Sequence, residues 1–161
     1  RVVLIATAAS VRSGAYQRSL RQLDPDIAVT AKACPLFVPL VENGRFRRGD
    51  VVIETVAREY LEPLRREGLD TLILGCTHYP LLTDIIGDIM GPGVTLINTG
   101  EEAAWELKRT LRGLDLLAPE GPAGRATLCA SDQPEQFGVM ASYFLGESLT
   151  RPVQPVDIDR Y

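Results

Sequence analysis

The stretch DTLILGCTHYPLL, residues 70–82, places Cys76, Thr77 and the chain's single histidine, His78, directly after an apolar run. A cysteine thiolate is a nucleophile and a base, and an imidazole next to it can exchange protons near neutral pH. A lone cysteine or histidine is also common as a buried structural residue, so the adjacency alone leaves both interpretations open. Because no second pair of ligands at zinc-finger spacing accompanies Cys76 and His78, we predict no metal site.

The elements around this stretch alternate between strand and helix patterns, which is typical of an α/β fold with a parallel sheet. The apolar runs predict strands at Val2–Ala6, 27–31, Thr71–Leu74, Thr95–Asn98 and 126–130. Helical patterns cover residues 50–67, 100–111 and Pro134–Leu145. In the first of these helices, apolar residues recur every four positions and predict the buried face: Val52, Val56, Tyr60 and Leu64.

The predicted fold gives Cys76 a position that suits a ligand site. In an open parallel sheet, ligands bind beyond the carboxyl ends of the strands, and Cys76 follows the predicted strand Thr71–Leu74. Pro80 suits the first turn of a helix, so we expect residues 75–79 to form the turn between strand and helix. Backbone N–H groups at such a turn can face a bound carboxylate, and Gly75 allows the backbone to approach it closely.

Composition limits the class of protein. Hydrophobic residues make up 45% of the chain and charged residues 24%, with a formal net charge of -4, as in globular proteins. The interspersed charges argue against nucleic acid and membrane surfaces as partners, and no apolar run approaches the roughly 20 residues of a membrane span. Cys34, Cys76 and Cys129 form neither a disulfide framework nor a metal clip, so a reducing cytoplasm is expected. Residues 118–124, APEGPAG, are predicted to be a linker.

Four segments of the chain resemble one family. LILGCTHYPLL, residues 72–82, resembles the second-cysteine signature of glutamate racemases, cofactor-independent enzymes that supply D-glutamate for bacterial peptidoglycan. ATAASVRSGAYQRSL at 6–20 and ACPLFVPLVENG at 33–44 are similar to two further family segments, although Ala6 and Ser10 replace the usual Gly and Thr. DQPEQFGVMASYFLGE, residues 132–147, resembles the family's last helix. Aspartate racemases of the same superfamily typically carry Glu in place of His78.

The resemblance implies a fold and a division of the chain. Residues 1–98 are expected to form a flavodoxin-like, doubly wound α/β domain, and residues 99–161 a return segment that completes an amino-terminal domain. The family's first-cysteine segments, an Asp-Ser pair before a Gly-rich loop and a Cys-Asn-Thr-Ala stretch, do not occur in this sequence. The chain is therefore expected to be the second half of such an enzyme, with glutamate bound in the cleft between the domains. A homodimer stays open.

The resemblance also implies roles for the cysteine segment. Cys76 would be one of two cysteines that exchange a proton at the α-carbon, taking it from L-glutamate. His78 would tune Cys76 or relay its proton, and Thr77 would hold the α-carboxylate through its hydroxyl and backbone N–H. No cofactor is expected. The alternatives are an aspartate or other amino-acid racemase of the superfamily, and a non-catalytic ligand-binding module derived from it.

Three further residues are candidates for substrate binding. Thr7 and Ser10 would help to line the pocket, although hydroxyls between a strand and a helix are commonly helix caps. Glu42 aligns with an acidic residue near the family's site, although a glutamate before Asn-Gly is also typical of a solvated surface. Cys34 and Cys129 are predicted to be small buried hydrophobes rather than bases.

Overall fold

The chain divides into two compact units. The computed structural model describes residues 1–119, 121 and 124–160. These residues group into Arg1–Leu117 and Ala118–Tyr161. Of the predicted linker 118–124, residues Glu120, Pro122 and Ala123 lie outside the described residues. The expected division after residue 98 separates the α/β domain from a return segment of another domain. This division stays a prediction.

The first unit is built on a four-stranded parallel sheet. Its strands are β1 (Val2–Ala6), β2 (Val29–Ala33), β3 (Thr71–Leu74) and β4 (Thr95–Asn98). The spatial order is β2-β1-β3-β4, consistent with the flavodoxin-like order. The predicted doubly wound α/β fold is thereby confirmed. Three strands have their predicted bounds, whereas the second starts and ends two residues later than predicted.

Helices connect these strands, and one further helix follows the last strand. They are α1 (Ala8–Ser13), α2 (Ala15–Leu23), α3 (Phe37–Glu42), α4 (Val51–Arg65), α5 (Thr83–Met90) and α6 (Thr99–Gly113), with a 3₁₀ turn at Tyr79–Leu82 before α5. The helices α1 and α2 cover one face of the sheet, where Val11, Tyr16 and Leu20 pack against a cluster that includes Leu4 and Ile73. The central strands β1 and β3 are buried almost throughout, as parallel strands between two helix layers must be.

The buried face of α4 differs from the predicted one. The buried side chains are Ile53, Ala57, Leu61 and Leu64, whereas Val52 is 39% exposed. A repeat of four residues turns by about 40° at every step, because an α-helix has 3.6 residues per turn. The buried side chains follow one another at steps of four, four and three residues, which keeps them on one face of the helix. The predicted stripe shares only Leu64 with this buried face.

The second unit is small and exposes much of its apolar surface. It contains β5 (Cys129–Ala130), α7 (Pro134–Leu145), β6 (Gln154–Pro155) and a 3₁₀ turn at Ile158–Arg160. The bounds of α7 are as predicted, whereas the strand predicted at 126–130 is reduced to Cys129–Ala130, paired in parallel with β6. Within the described part of the chain, no helix is long and apolar enough to cross a membrane.

Candidate functional site

The candidate site lies at the carboxyl edge of the sheet, where β1 and β3 end side by side. These two strands pair with Ile5 opposite Leu74. The pairing continues one residue further, because the N–H of Gly75 donates to the carbonyl oxygen of Ile5 at 2.8 Å. A Cβ atom at Gly75 would lie 2.4 Å from Leu4 Cδ1. A larger residue at this position would force the Leu4 side chain to move, so glycine suits it, and the following residue, Cys76, lies directly at the sheet edge.

The turn after β3 holds its own shape through backbone hydrogen bonds. The N–H of Tyr79 donates to the carbonyl oxygen of Cys76 at 3.1 Å, and the N–H of Leu81 donates to that of His78 at 3.2 Å. Pro80 occupies the first turn of the 3₁₀ segment, and α5 follows from Thr83. The predicted turn between strand and helix is therefore present.

The three polar side chains of this turn lie close together. Cys76 is partly buried, and its Sγ lies 4.0 Å from His78 Nδ1. The hydroxyl oxygen of Thr77 lies 3.4 Å from the same ring nitrogen. Nδ1 of His78 therefore faces both the thiol and the hydroxyl of its neighbours.

Glu42 reaches the other nitrogen of the same ring. Its Oε1 lies 3.3 Å from His78 Nε2, although Glu42 is the last residue of α3 and 36 positions away. The His78 side chain is 22% exposed and that of Glu42 is 45% exposed. Glu42 is therefore solvent-accessible and also contacts the candidate site, and its expected role in substrate binding stays a prediction.

These contacts define what the imidazole can do. A carboxylate only accepts hydrogen bonds, so the contact with Glu42 favours the tautomer with hydrogen on Nε2. The lone pair of Nδ1 then points toward Cys76 and Thr77. In this arrangement His78 can accept the proton of the Cys76 thiol, and Glu42 can stabilise the imidazolium that results.

Thr7 follows β1 as the residue before α1, and Ser10 lies in the first turn of α1. Thr7 is the N-cap of α1, and its hydroxyl oxygen accepts a hydrogen bond from the N–H of Ser10 at 3.3 Å. The two hydroxyl groups are 3.1 Å apart. This geometry is that of a helix cap. Since β1 pairs directly with β3, both residues share the sheet edge with Cys76, and a role in lining a pocket stays a prediction.

The other two cysteines differ from each other. Cys34 follows β2 and is fully buried as predicted, and burial raises the pKa of its thiol to about 12. Cys129 was predicted to be buried but is exposed. Its strand is only two residues long and pairs with β6 alone, so few residues cover it. Among the described residues, no three His, Cys, Asp or Glu side chains are grouped so that they could hold a metal ion.

Sequence reasoning missed the side chains that hold the turn in place. The hydroxyl of Tyr79 donates to the carbonyl oxygen of Cys34 at 3.0 Å, and that of Thr99 donates to the carbonyl oxygen of Leu74 at 3.0 Å. The only sequence signal for the first contact is the apolar continuation YPLL after the reactive residues.

Comparison with known proteins gives a consistent result. No protein-family model matches the chain. The glutamate racemase of Geobacter metallireducens is 42% identical over 149 residues, which are 92% of this chain and 54% of that protein. The crystal structure of Thermus thermophilus glutamate racemase with β-chloro-D-alanine is 44% identical with a TM-score of 0.83, covering 100% of this chain and 58% of that one. The Francisella tularensis enzyme with D-glutamate is 31% identical with a TM-score of 0.86, covering 99% of this chain and 59% of that one.

The extent of these matches is as informative as their identity. The chain spans little more than half the length of the relatives that it matches. That share is consistent with the carboxyl-terminal placement expected from the sequence. The resemblance inferred from the cysteine segment is confirmed: over nearly its whole length, this chain is similar to part of a glutamate racemase.

Proposed function

We propose that this chain supplies one of the two catalytic cysteines for the racemisation of glutamate. The observation that carries the proposal is the alignment of Cys76, His78 and Glu42 at the carboxyl edge of the sheet. Similarity to glutamate racemases along nearly the whole chain supports the choice of substrate. A glutamate complex of the Francisella relative, at 31% identity, supports it as well.

The chemistry requires two groups on opposite faces of the substrate. The α-proton of an amino acid is far less acidic than any side chain, so a base must remove it in a site that stabilises the carbanion. The Cys76 thiolate takes this proton, and the electron pair of the C–H bond stays on the α-carbon, delocalised into the α-carboxylate. A second thiol then protonates the opposite face. The reverse reaction exchanges the two roles, and no metal, pyridoxal phosphate or nucleotide takes part.

His78 and Glu42 prepare the base. The thiol of Cys76 transfers its proton to Nδ1 of His78, which leaves the reactive thiolate. The carboxylate of Glu42 holds hydrogen on Nε2 and stabilises the positive charge that the ring acquires. The distance of 4.0 Å between sulfur and nitrogen is long for this transfer, and such contacts commonly tighten when substrate binds.

The neighbouring hydroxyl groups bind the substrate in this proposal. Thr77 holds the α-carboxylate through its hydroxyl and its backbone N–H, and Thr7 and Ser10 line the pocket from the start of α1. The product, D-glutamate, would be used in the cytoplasm for peptidoglycan. This location also suits a reaction that depends on reduced thiols.

The second base is proposed to lie on a segment outside this chain. Cys34 is buried, and its raised pKa keeps the thiol protonated near neutral pH. Cys129 belongs to the second unit and is exposed. The chain covers 54% and 58% of the length of the Geobacter and Thermus relatives. Their remaining length leaves room for an amino-terminal domain with the opposing cysteine.

The test measures proton exchange at the α-carbon. The chain is incubated in D₂O with L-glutamate or L-aspartate, alone and with the part of the Geobacter relative that it does not cover, added separately or fused to Arg1. Deuterium incorporation and D-isomer formation are followed by mass spectrometry and chiral chromatography. Cys76→Ala is compared with Cys129→Ala as the matched control.

We expect turnover of glutamate only when both parts are present, with loss of turnover in Cys76→Ala and retention in Cys129→Ala. Turnover by the chain alone would refute an external second base. A preference for aspartate would refute the substrate. If the fused protein binds glutamate but exchanges no proton, the chain is a binding module rather than part of an enzyme.

A further inference from the structure

Tyr79 is the residue that follows His78, and its side chain is fully buried. Its hydroxyl donates a hydrogen bond to the carbonyl oxygen of Cys34 at 3.0 Å. The same carbonyl oxygen accepts the N–H of Phe37 at 3.3 Å. One backbone oxygen therefore connects the turn after β3 to the first residue of α3.

The aromatic rings strengthen this connection. The ring of Tyr79 meets that of Phe37 edge-on, with centroids 5.2 Å apart and an angle of 88° between the planes. Phe37 meets Tyr60 of α4 in the same manner at 5.3 Å and 74°. Edge-to-face pairs of this kind prefer one geometry, so the three rings hold the turn, α3 and α4 at fixed distances.

Both ends of α3 contact the turn after β3. Phe37 at its start contacts Tyr79, and Glu42 at its end contacts His78. The helix is only six residues long and acts as a rigid spacer between these contacts. A displacement of the Tyr79 ring relative to Phe37 would therefore change the position of His78 relative to the carboxylate of Glu42.

The Tyr79 hydroxyl is suited to a permanent structural hydrogen bond. Burial raises the pKa of this phenol well above its usual value, so the hydroxyl stays protonated near neutral pH and can donate its hydrogen bond. The hydrogen of this hydroxyl is directed to the carbonyl oxygen of Cys34, which favours a structural role for Tyr79.

We propose that Tyr79 is a positioning residue, whose hydrogen bond to Cys34 and ring contact with Phe37 set the distance between His78 and Glu42. The inference rests on the proposed function, since it assigns Tyr79 to the proton relay of that reaction. It predicts that the Tyr79 hydroxyl acts on the catalytic step through His78 and not on the stability of the fold alone.

The kinetic test uses the active assembly described above and a double-mutant cycle. Tyr79→Phe removes the hydroxyl and keeps the ring, and Tyr16→Phe is the matched control on α2. We expect Tyr79→Phe to lower kcat by about 10- to 100-fold, the usual cost of a misplaced catalytic group, with little change in KM. In a Glu42→Gln background the same substitution should have little further effect, because the contact that it positions is already lost. Multiplicative effects of the two substitutions would overturn the proposal.

A second readout does not depend on activity. His78 is the only histidine, so the imidazole of the chain gives a single set of NMR resonances. Tyr79→Phe and Glu42→Gln should both shift these resonances at fixed pH, and Tyr16→Phe should not. If the wild-type assembly forms no D-glutamate, the proposed function fails while this comparison still decides the positioning role. Unchanged resonances in a folded Tyr79→Phe chain overturn that role even if the enzyme is active. If Tyr79→Phe does not fold, Phe37→Leu removes the ring contact and must give the same shift.

Discussion

Gly75→Ala should destabilise the first unit, because the new methyl group has no space at the junction of β1 and β3. An ideal Cβ atom there lies 2.4 Å from Leu4 Cδ1 and 3.1 Å from the carbonyl oxygen of Ile5. Carbon atoms in contact are normally about 3.5–4.0 Å apart, so the first overlap exceeds 1 Å. Leu4 is fully buried, and the Ile5 carbonyl is bonded to the N–H of Gly75 itself. The Leu4 side chain would have to turn within a packed core, and the Ile5 carbonyl oxygen would have to give way by a few tenths of an ångström.

The expected cost follows from this overlap. Extra methyl groups in a packed core usually destabilise a protein by about 1–3 kcal/mol. Gly87→Ala is the matched control, because Gly87 lies inside α5 and its new Cβ would be 3.8 Å from Leu96 Cδ1, an ordinary contact. In the interior of a helix, alanine is more favourable than glycine by about 0.5–1 kcal/mol. The two substitutions should therefore change stability in opposite directions.

Urea unfolding followed by far-UV circular dichroism measures both changes. With a slope of about 2 kcal/mol per molar urea, the midpoint should fall by about 0.5–1.5 M for Gly75→Ala and rise slightly for Gly87→Ala. A midpoint for Gly75→Ala at or above that of the wild type would refute the argument that a side chain at Gly75 crowds Leu4 and Ile5.

Further predictions concern the cysteines and the histidine. Cys76 should be alkylated much faster than Cys34, whose burial and raised pKa leave almost no thiolate, and also faster than the exposed Cys129, as peptide mapping would show. His78→Asn in the active assembly should lower turnover by about 10²–10⁴-fold with glutamate binding largely kept, and an unchanged rate would leave His78 a structural role. Above pH 9, the free energy of unfolding should fall by up to about 1.4 kcal/mol per pH unit, because the Cys34 thiol ionises near pH 9 when unfolded but only near 12 when folded. Cys34→Ala should flatten this slope between pH 9 and 10, and an equally steep slope in that variant would assign the effect to other groups.

The central strands could be predicted from the sequence because they are continuous apolar runs. Strand β2 was placed two residues too early because it lies at the edge of the sheet and includes Thr30 and Lys32, so its apolar pattern is weak. Its true register, with Val29 opposite Val2 and Ala33 opposite Ala6, is set by pairing with a strand that is far away in the chain. Local patterns carry no information on such pairing.

The candidate site shows the same division between local and distant information. Placement of Cys76 at a strand end and of Thr7 before a helix depends on neighbouring residues, and both could be predicted. The contact between Glu42 and His78 depends on how α3 lies against the turn after β3, so the sequence left open whether Glu42 is a surface residue. The Tyr79 hydrogen bond to Cys34 joins residues 45 positions apart and has no local signal.

The last part of the chain shows that an apolar pattern predicts a helix more reliably than it predicts what covers that helix. The bounds of α7 follow from its capping residues and its periodicity, yet Phe137, Val139 and Leu145 are 43%, 53% and 57% exposed. Helix α6 likewise buries none of its residues and exposes 59% of Trp105. Where such side chains form a contiguous surface, that surface commonly binds another polypeptide, whereas singly exposed apolar residues are normal. Under the proposed function, the exposed apolar side chains of α6 and those of α7 are each expected to contact the polypeptide segment that carries the second cysteine.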